Sequence, residues 1–341
     1  MKFIWGEIDK NIKEDFDLFI VSASFEERCL SLAQNFPYGK IKQAVIFYLC
    51  NNKDYLSDNL NRLKIIFDNK NIHNEAVELF HDKPLESFDR IVEYLDRNLT
   101  KNPVQNVIID TTTFTHEMVL ILLMLFNKKY TGINVTFAYS NAKDYDHLKD
   151  DTNRSSSKWL SKGIGNIRSI LGYPGDLLPT RQTHLIIIVG YEYDRALSII
   201  SEIEPTSISL GFGKSDSYTA EVQDINDKHY GAWEHFEEVV HDSISFVPKN
   251  RVYKFDISCN DPERAKRDIQ SHLDQNCNAT EGKNIVLFAM NNKLSTLGVG
   301  LFAFERQDIQ LCYAPALIYN YANYSIPGED CYLFKLFSKQ W

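Results

Sequence analysis

A strand-to-helix crossing of the same unusual composition occurs twice in this chain. Residues 17–30 read DLFIVSASFEERCL and residues 185–197 read LIIIVGYEYDRAL. Each is an apolar run followed by a small residue (Ser24, Gly190), an aromatic (Phe25, Tyr191), acidic residues (Glu26 and Glu27; Glu192 and Asp194) and an Arg-x-Leu starting at Arg28 or Arg195. Self-similarity at a fixed spacing decides an architecture before any single element does.

Four more blocks follow in the same order. IKQAVIFYLC (41–50) is matched by SISLGFG (207–213), each a second strand. EAVELFHDKPLESFDRIVEYL (75–95) is matched by VYKFDISCNDPERAKRDIQSHL (252–273), a strand, a polar turn and an amphipathic helix opened by Pro84 or Pro262. Proline suits a first helical turn, whose N–H has no partner within the helix. NVIIDTTTFTHEMVLILLMLF (106–126) is matched by NIVLFAMNNKLSTLGVGLFAF (284–304), and INVTFAYSNAKDY (133–145) by IQLCYAPALIYNYANY (309–324). The offsets are 195 − 28 = 167, 262 − 84 = 178 and 313 − 139 = 174, a drift that loop insertions in a duplicated chain produce.

Strands that are apolar throughout, such as VIFYL, VIID and IVLFA, fit parallel sheets covered by helices on both faces. The fold expected is therefore α/β, two tandem Rossmann-like units from internal duplication, and 341 residues suffice for two cores. Residues 150–182 are polar, then rich in glycine and proline, which places the boundary near residue 180. The expected domains are 1–180 and 181–341, with the segment before the boundary packed on the first unit.

Parallel α/β sheets place ligands outside the carboxyl ends of their strands, and the distinctive residues fall there. Neither a G-x-G-x-x-G fingerprint nor a G-x-x-x-x-G-K-[ST] loop is present, which disfavours ordinary NAD dehydrogenases and P-loop NTPases. Asp110, Thr111, Thr112, Thr113 and Thr115 offer polar groups ahead of a helix, as do Asn291, Asn292, Lys293, Ser295 and Thr296 in the second unit. Two readings stand: contact with an anionic ligand at a helix start, or simple helix capping. Ser24, Phe25, Glu27, Arg28, Tyr191 and Arg195 are either ligand contacts or helix-start ion pairs and packing. Glu26 and Glu192 are the candidate catalytic carboxylates, and His116 is either an acid or base or a capping residue. Tyr319, Asn320, Asn323, Tyr324 and Ser325 form an aromatic and amide cluster suited to stacking on a base, or to packing alone.

A net charge of −9 excludes broad binding of duplex nucleic acid but not a small anion in a local pocket. Nothing approaches the roughly 20 apolar residues of a membrane span, so no membrane partner is expected. The opening MKFIWGEIDK has no signal-peptide pattern, and six cysteines include no C-x-x-C pair. These features predict a cytoplasmic chain with reduced thiols, no metal site and no cofactor.

The strand-DTTTFTHEM-helix segment resembles the fourth-strand motif of CRISPR-associated Rossmann-fold (CARF) domains, with Asp110 to Thr113 and Thr115 at its polar positions. The two glycines of that motif are absent, and His116 stands in place of its lysine. Residues 292–296 follow the motif less closely. The tandem arrangement is similar to single-chain CARF proteins and to SAVED sensors of bacterial antiviral systems. That resemblance implies a nucleotide-like ligand held at the carboxyl-end face between the two units, and a role in sensing or scaffolding through a partner effector. FDLFIVSASFEER (16–28) also resembles the first box of Toll/interleukin receptor-like domains, which implies hydrolysis of a nucleotide or NAD-like molecule by a glutamate. A protein-interaction module without a small ligand is the third reading.

Overall fold

The computed structural model describes residues 1–37, 39–49, 53–99, 104–144, 160–190, 192–214, 246–321 and 324–336. Its strands are β1 (Lys2–Ile4), β2 (Phe16–Ala23), β3 (Ile41–Leu49), β4 (His73–Leu79), β5 (Asn106–Asp110), β6 (Asn134–Asp144), β7 (Ser161–Ile164) and β8 (Arg168–Pro174). Then come β9 (Thr183–Val189), β10 (Ser207–Lys214), β11 (Val252–Ser258), β12 (Asn284–Ala289), β13 (Ile309–Tyr313), β14 (Ala316–Tyr319) and β15 (Ile326–Leu336). The helices are α1 (Ile8–Asn11), α2 (Arg28–Asn35), α3 (Lys53–Asn69), α4 (Pro84–Leu99), α5 (His116–Lys128), α6 (Tyr193–Ile203), α7 (Pro262–Gln275), α8 (Cys277–Thr280) and α9 (Lys293–Glu305).

Two Rossmann-like sheets carry these elements. The first runs β1-β15-β6-β5-β2-β3-β4 and the second β11-β10-β9-β12-β13-β8. The strand order β4-β3-β2-β5-β6 in one matches β11-β10-β9-β12-β13 in the other, parallel throughout. β2 and β9 sit centrally and are buried along nearly their whole length, as strands covered on both faces must be. Phe19, Phe36 and Phe67 meet edge to face in the first core. Ile187, Ile199 and Phe288 belong to the second.

Once the sequence match of Asn106 with Asn284 sets the correspondence of β5 and β12, hydrogen-bond register tests the offsets of their neighbours. Leu18 pairs with Val107, and Val107 with Val135. His184 pairs with Ile285, and Ile285 with Ile309. The offsets are 184 − 18 = 166, 285 − 107 = 178 and 309 − 135 = 174, within one residue of those read from the sequence.

The domain limits need correction. One compact unit comprises Met1–Thr115, Met124–Lys158 and Asn320–Trp341, and the other His116–Leu123 and Trp159–Tyr319. They are not the contiguous halves 1–180 and 181–341. The reason lies in the antiparallel strand that flanks each fifth strand. β6 takes β15 from the far end of the chain, with Tyr332 opposite Tyr139. β13 takes β8 from the segment between the repeats, with Tyr313 opposite Arg168. The residues expected to pack on the first unit thus complete the second sheet, and β14 pairs with β7 in a separate ribbon.

Candidate functional site

In the first unit, β2 turns into α2 through Ser24, Phe25, Glu26 and Glu27. The Ser24 hydroxyl accepts from the Glu26 N–H at 3.3 Å, and Asn59 of α3 clamps the turn by donating to the Ser24 carbonyl at 2.9 Å. Glu27 points outward to Arg62 at 3.0 Å. Phe25 packs edge to face with Tyr321 and Tyr324 at 4.9 and 5.3 Å, so packing accounts for part of the aromatic cluster.

Arg28 is not a surface group. Its side chain is 4% exposed, and it pairs with Glu26, 9% exposed, at 2.7 Å. It also donates to the Ser325 hydroxyl at 2.9 Å and to the Ser140 carbonyl at 3.2 Å, while Ser325 donates to Glu26 at 2.6 Å. A helix-start ion pair was a fair sequence reading, but this one is buried and hydrogen-bonded on every side.

The threonine loop after β5 turns inward. Thr111 donates to the Ala138 carbonyl at 2.7 Å and Thr113 to that of Ser22 at 2.7 Å. Thr112 donates to Asp110 through both its hydroxyl and its N–H, and its hydroxyl accepts from the Ser140 N–H. Asp110 Oδ2 and the Ser140 hydroxyl are buried without a partner among the described residues. Burial raises the Asp110 pKa to about 7, against the opposing pull of the Thr112 hydrogen bonds and the Arg28 charge. Thr115 ends the loop just before α5.

The second unit repeats this design with different side chains. Arg195 pairs with Glu192 at 11% and 16% exposure, donates to the Ala314 carbonyl at 2.5 Å and reaches the Ser161 hydroxyl at 3.5 Å. Ala314 matches Ser140 by the offset 314 − 140 = 174. Asn291 donates to the Val189 carbonyl at 2.7 Å, one residue along from the position matching the Thr113 bond to Ser22. Asn292 caps α9 by accepting from the Ser295 N–H at 2.9 Å, and Lys293 is the first residue of that helix. Ser295 is fully buried, and its hydroxyl donates to the Asn292 carbonyl at 2.9 Å. Tyr319 ends β14 and Asn320 follows it, whereas Tyr191 and Asn323 lie outside the described residues.

His116 belongs to this second unit. Thr296 donates its only hydroxyl hydrogen to the Asn292 carbonyl at 2.9 Å, so at 2.7 Å it accepts from His116 Nδ1–H. Nε2 is therefore a bare acceptor, with no partner among the described residues. Burial, then the charges of Lys293 and Arg195, hold the His116 pKa well below 6.5 and keep the ring neutral. His116, Arg195, Phe288, Met290, Tyr313 and Ala314 stand around a small recess at the carboxyl ends of β12 and β13.

No family model and no curated protein matches this chain. The solved structures it resembles include a protein described as a universal stress protein from Pseudomonas aeruginosa UCBPP-PA14. That match is 8% identical, covers 87% of this chain and 92% of that one, and has a TM-score of 0.23.

The arrangement is chemically quiet. Glu26 and Glu192 each face an arginine, and most candidate hydroxyls and amides are spent on backbone carbonyls. Among the described residues no cluster of three or more His, Cys, Asp or Glu is placed to hold a metal ion, and no helix is long and apolar enough to cross a membrane. Sequence reasoning missed Asn59, Ser140 and Ser161, single polar residues with no spacing signal. It also missed the bidentate pair of Arg168 with Glu117, at 2.8 and 2.7 Å.

Proposed function

We propose that this chain is a nucleotide-sensing or scaffolding component of a bacterial defence or stress system, acting in the cytoplasm through a partner effector. The observation that carries this reading is the ion pairing of Glu26 with Arg28 and of Glu192 with Arg195. General acid or nucleophilic catalysis needs a carboxylate free to exchange a proton or attack a carbon. These two carboxylates are held by guanidinium groups that carry no mobile proton at ordinary pH, which disfavours the hydrolase alternative. The doubled strand order supports a ligand-responsive pair of units, although Thr111, Thr112 and Thr113 spend their hydroxyls inside the first unit.

The test combines melting and chromatography. Cyclic oligonucleotides, mononucleotides and NAD are added singly to the full chain. A sensor is stabilised by about 2.7 kcal/mol at a hundredfold excess over the dissociation constant and returns its ligand intact. Consumption of the ligand, abolished by Glu26→Gln or Glu192→Gln, would replace this reading with the hydrolase.

A further inference from the structure

At the amino ends of their strands the two units differ in charge. In the first, Asp17 at the start of β2 accepts from the backbone N–H groups of Gln105 and Asn106 at 2.7 and 3.0 Å and pairs with Lys42. Sheet register identifies the matching residues of the second unit: Thr183 for Asp17 (183 − 17 = 166), Lys283 for Gln105 (283 − 105 = 178) and Arg251 for His73 (251 − 73 = 178). A carboxylate gives way to a hydroxyl, and two cations stand where the first unit has an amide and an imidazole.

Strand pairing brings those cations together. Lys283 precedes β12, and its ammonium reaches across the end of β9 to donate to the Ser207 hydroxyl on β10 at 2.9 Å. Ser207 pairs with His184, and the next residue, Ile208, with Val252, so Arg251 flanks Ser207 from the β11 side. Ser207 is 1% exposed, and its oxygen is also bonded to His184 Nδ1 at 2.7 Å, which fixes the point to which the ammonium is tied. Burial, then the Arg251 charge, lowers the Lys283 pKa, and no carboxylate acts in the other direction. Among the described residues neither Lys283 nor Arg251 has a carboxylate partner, although the whole chain carries a net charge of −9.

Two like charges held side by side are relieved by an anion. An ammonium carries three donors and a guanidinium five, and a tetrahedral oxyanion of charge near −2 accepts from both at once. A carboxylate, with one charge, balances only one of them. We propose that Lys283 and Arg251 bind a phosphate-type oxyanion at the amino end of the second sheet, and that the first unit has no such site because Asp17 supplies a carboxylate there. The site lies at the opposite end of the strands from the loops considered for nucleotide sensing, and it stands or falls without that reading.

The experiment titrates the full chain with inorganic phosphate at constant ionic strength, with chloride as the comparison and adenosine 5′-monophosphate as a second arm. Calorimetry gives affinity and stoichiometry, and the ¹³C shift of the Lys283 ε carbon follows its ammonium. Phosphate should bind at one site per chain and raise the Lys283 pKa. Lys283→Met and Arg251→Met should each weaken binding at least tenfold, and Thr183→Asp, which builds in the first unit's carboxylate, should abolish it. Lys42→Met, in the first unit, should leave it unchanged. The rise in the Lys283 pKa needs no variant, so it decides the matter if a substituted chain fails to fold. Inorganic phosphate that binds as well as the monophosphate upholds the site for the free ion. A monophosphate that binds more tightly, with the same losses in the variants, upholds it for a phosphoryl group on a larger molecule. No phosphate binding, a Lys283 pKa that chloride raises as much as phosphate does, or binding untouched by Lys283→Met would overturn the site and leave the nucleotide reading as it was.

Discussion

Arg28 donates to the Ser140 carbonyl at 3.2 Å, from the first turn of one helix to the strand that lies two places away in its sheet. Arg195 makes the matching bond to Ala314 at 2.5 Å. In each unit one arginine thus fastens the first crossing to the fifth strand, with a glutamate to balance its charge.

Removing that arginine strands a buried carboxylate. Arg28→Ala is expected to cost about 3–5 kcal/mol, because Glu26 is left uncompensated. Arg62→Ala, which breaks the exposed pair with Glu27, should stay within about 1 kcal/mol. Urea midpoints of both variants, compared at constant slope, give the contrast. Equal losses would mean that Arg28 acts as an ordinary surface group.

Asp110 makes stability depend on pH in an uncommon direction. Its folded pKa, about 7, lies above the ordinary aspartate value of 3.8, so the fold favours the protonated form. That contribution is fully present below about pH 4 and is lost as the pH rises through 7, since the unfolded chain releases the proton first. Asp110→Asn should remove the slope, becoming more stable than the wild type above pH 7 by on the order of 4 kcal/mol at most. Parallel stability curves for the two proteins from pH 4 to pH 8 would refute the assignment.

The second unit should respond in the opposite sense. His184 Nε2 and His272 Nε2 both meet the Ser209 hydroxyl, at 2.9 and 2.7 Å, and Ser207 bonds His184 Nδ1 at 2.7 Å. Burial lowers the two pKa values to about 3 and about 4, so both rings fold neutral. Their stabilisation is present above 6.5 and lost as the pH falls towards those values. Ser209→Ala, which leaves both rings short of a partner, should cost about 1–3 kcal/mol at pH 7. Denaturation of this variant at pH 7 and pH 5 tests the network, and a loss under 0.5 kcal/mol would dismiss it.

Gly190 is fixed by space rather than by backbone angle. A Cβ there would lie 2.1 Å from the Met290 carbonyl oxygen. Gly190→Ala should therefore push the β12–α9 loop away and cost about 1–3 kcal/mol. Gly6→Ala meets nothing within 4 Å and serves as the control. Indistinguishable melting temperatures for the two would contradict the close approach.

The repeated strands were legible because a strand buried on both faces must be apolar along its length, whatever it pairs with. Pro84 and Pro262 open α4 and α7 where the sequence placed helix starts, and Asp261 caps the latter by accepting from the N–H groups of Glu263 and Arg264. β8 was illegible because its burial alternates irregularly, and pairing across more than 130 residues leaves no local pattern. The threonine and asparagine loops follow the strands they were read to follow, but whether a threonine faces a ligand or a carbonyl depends on rotamers that spacing does not encode. Asp110 and Phe288 occupy one place in the repeat, and their difference was visible only after the sheets supplied a register.

The far-end origin of β15 bears on how the protein is made. As the chain leaves the ribosome, β6 is complete at residue 144, but the strand that covers its edge begins at residue 326. At roughly 5–20 residues per second, that edge waits about ten to forty seconds with its backbone groups unpaired. β8 has the reverse history, emerging before the strand it joins. A chain bisected near residue 180 would leave β1, β7 and β8 without their partners and the β6 edge open in the N-terminal piece, and β14 and β15 unpaired with the β13 edge open in the C-terminal piece. Continuous synthesis joins what the gene order separates, and β15 closes the first sheet begun.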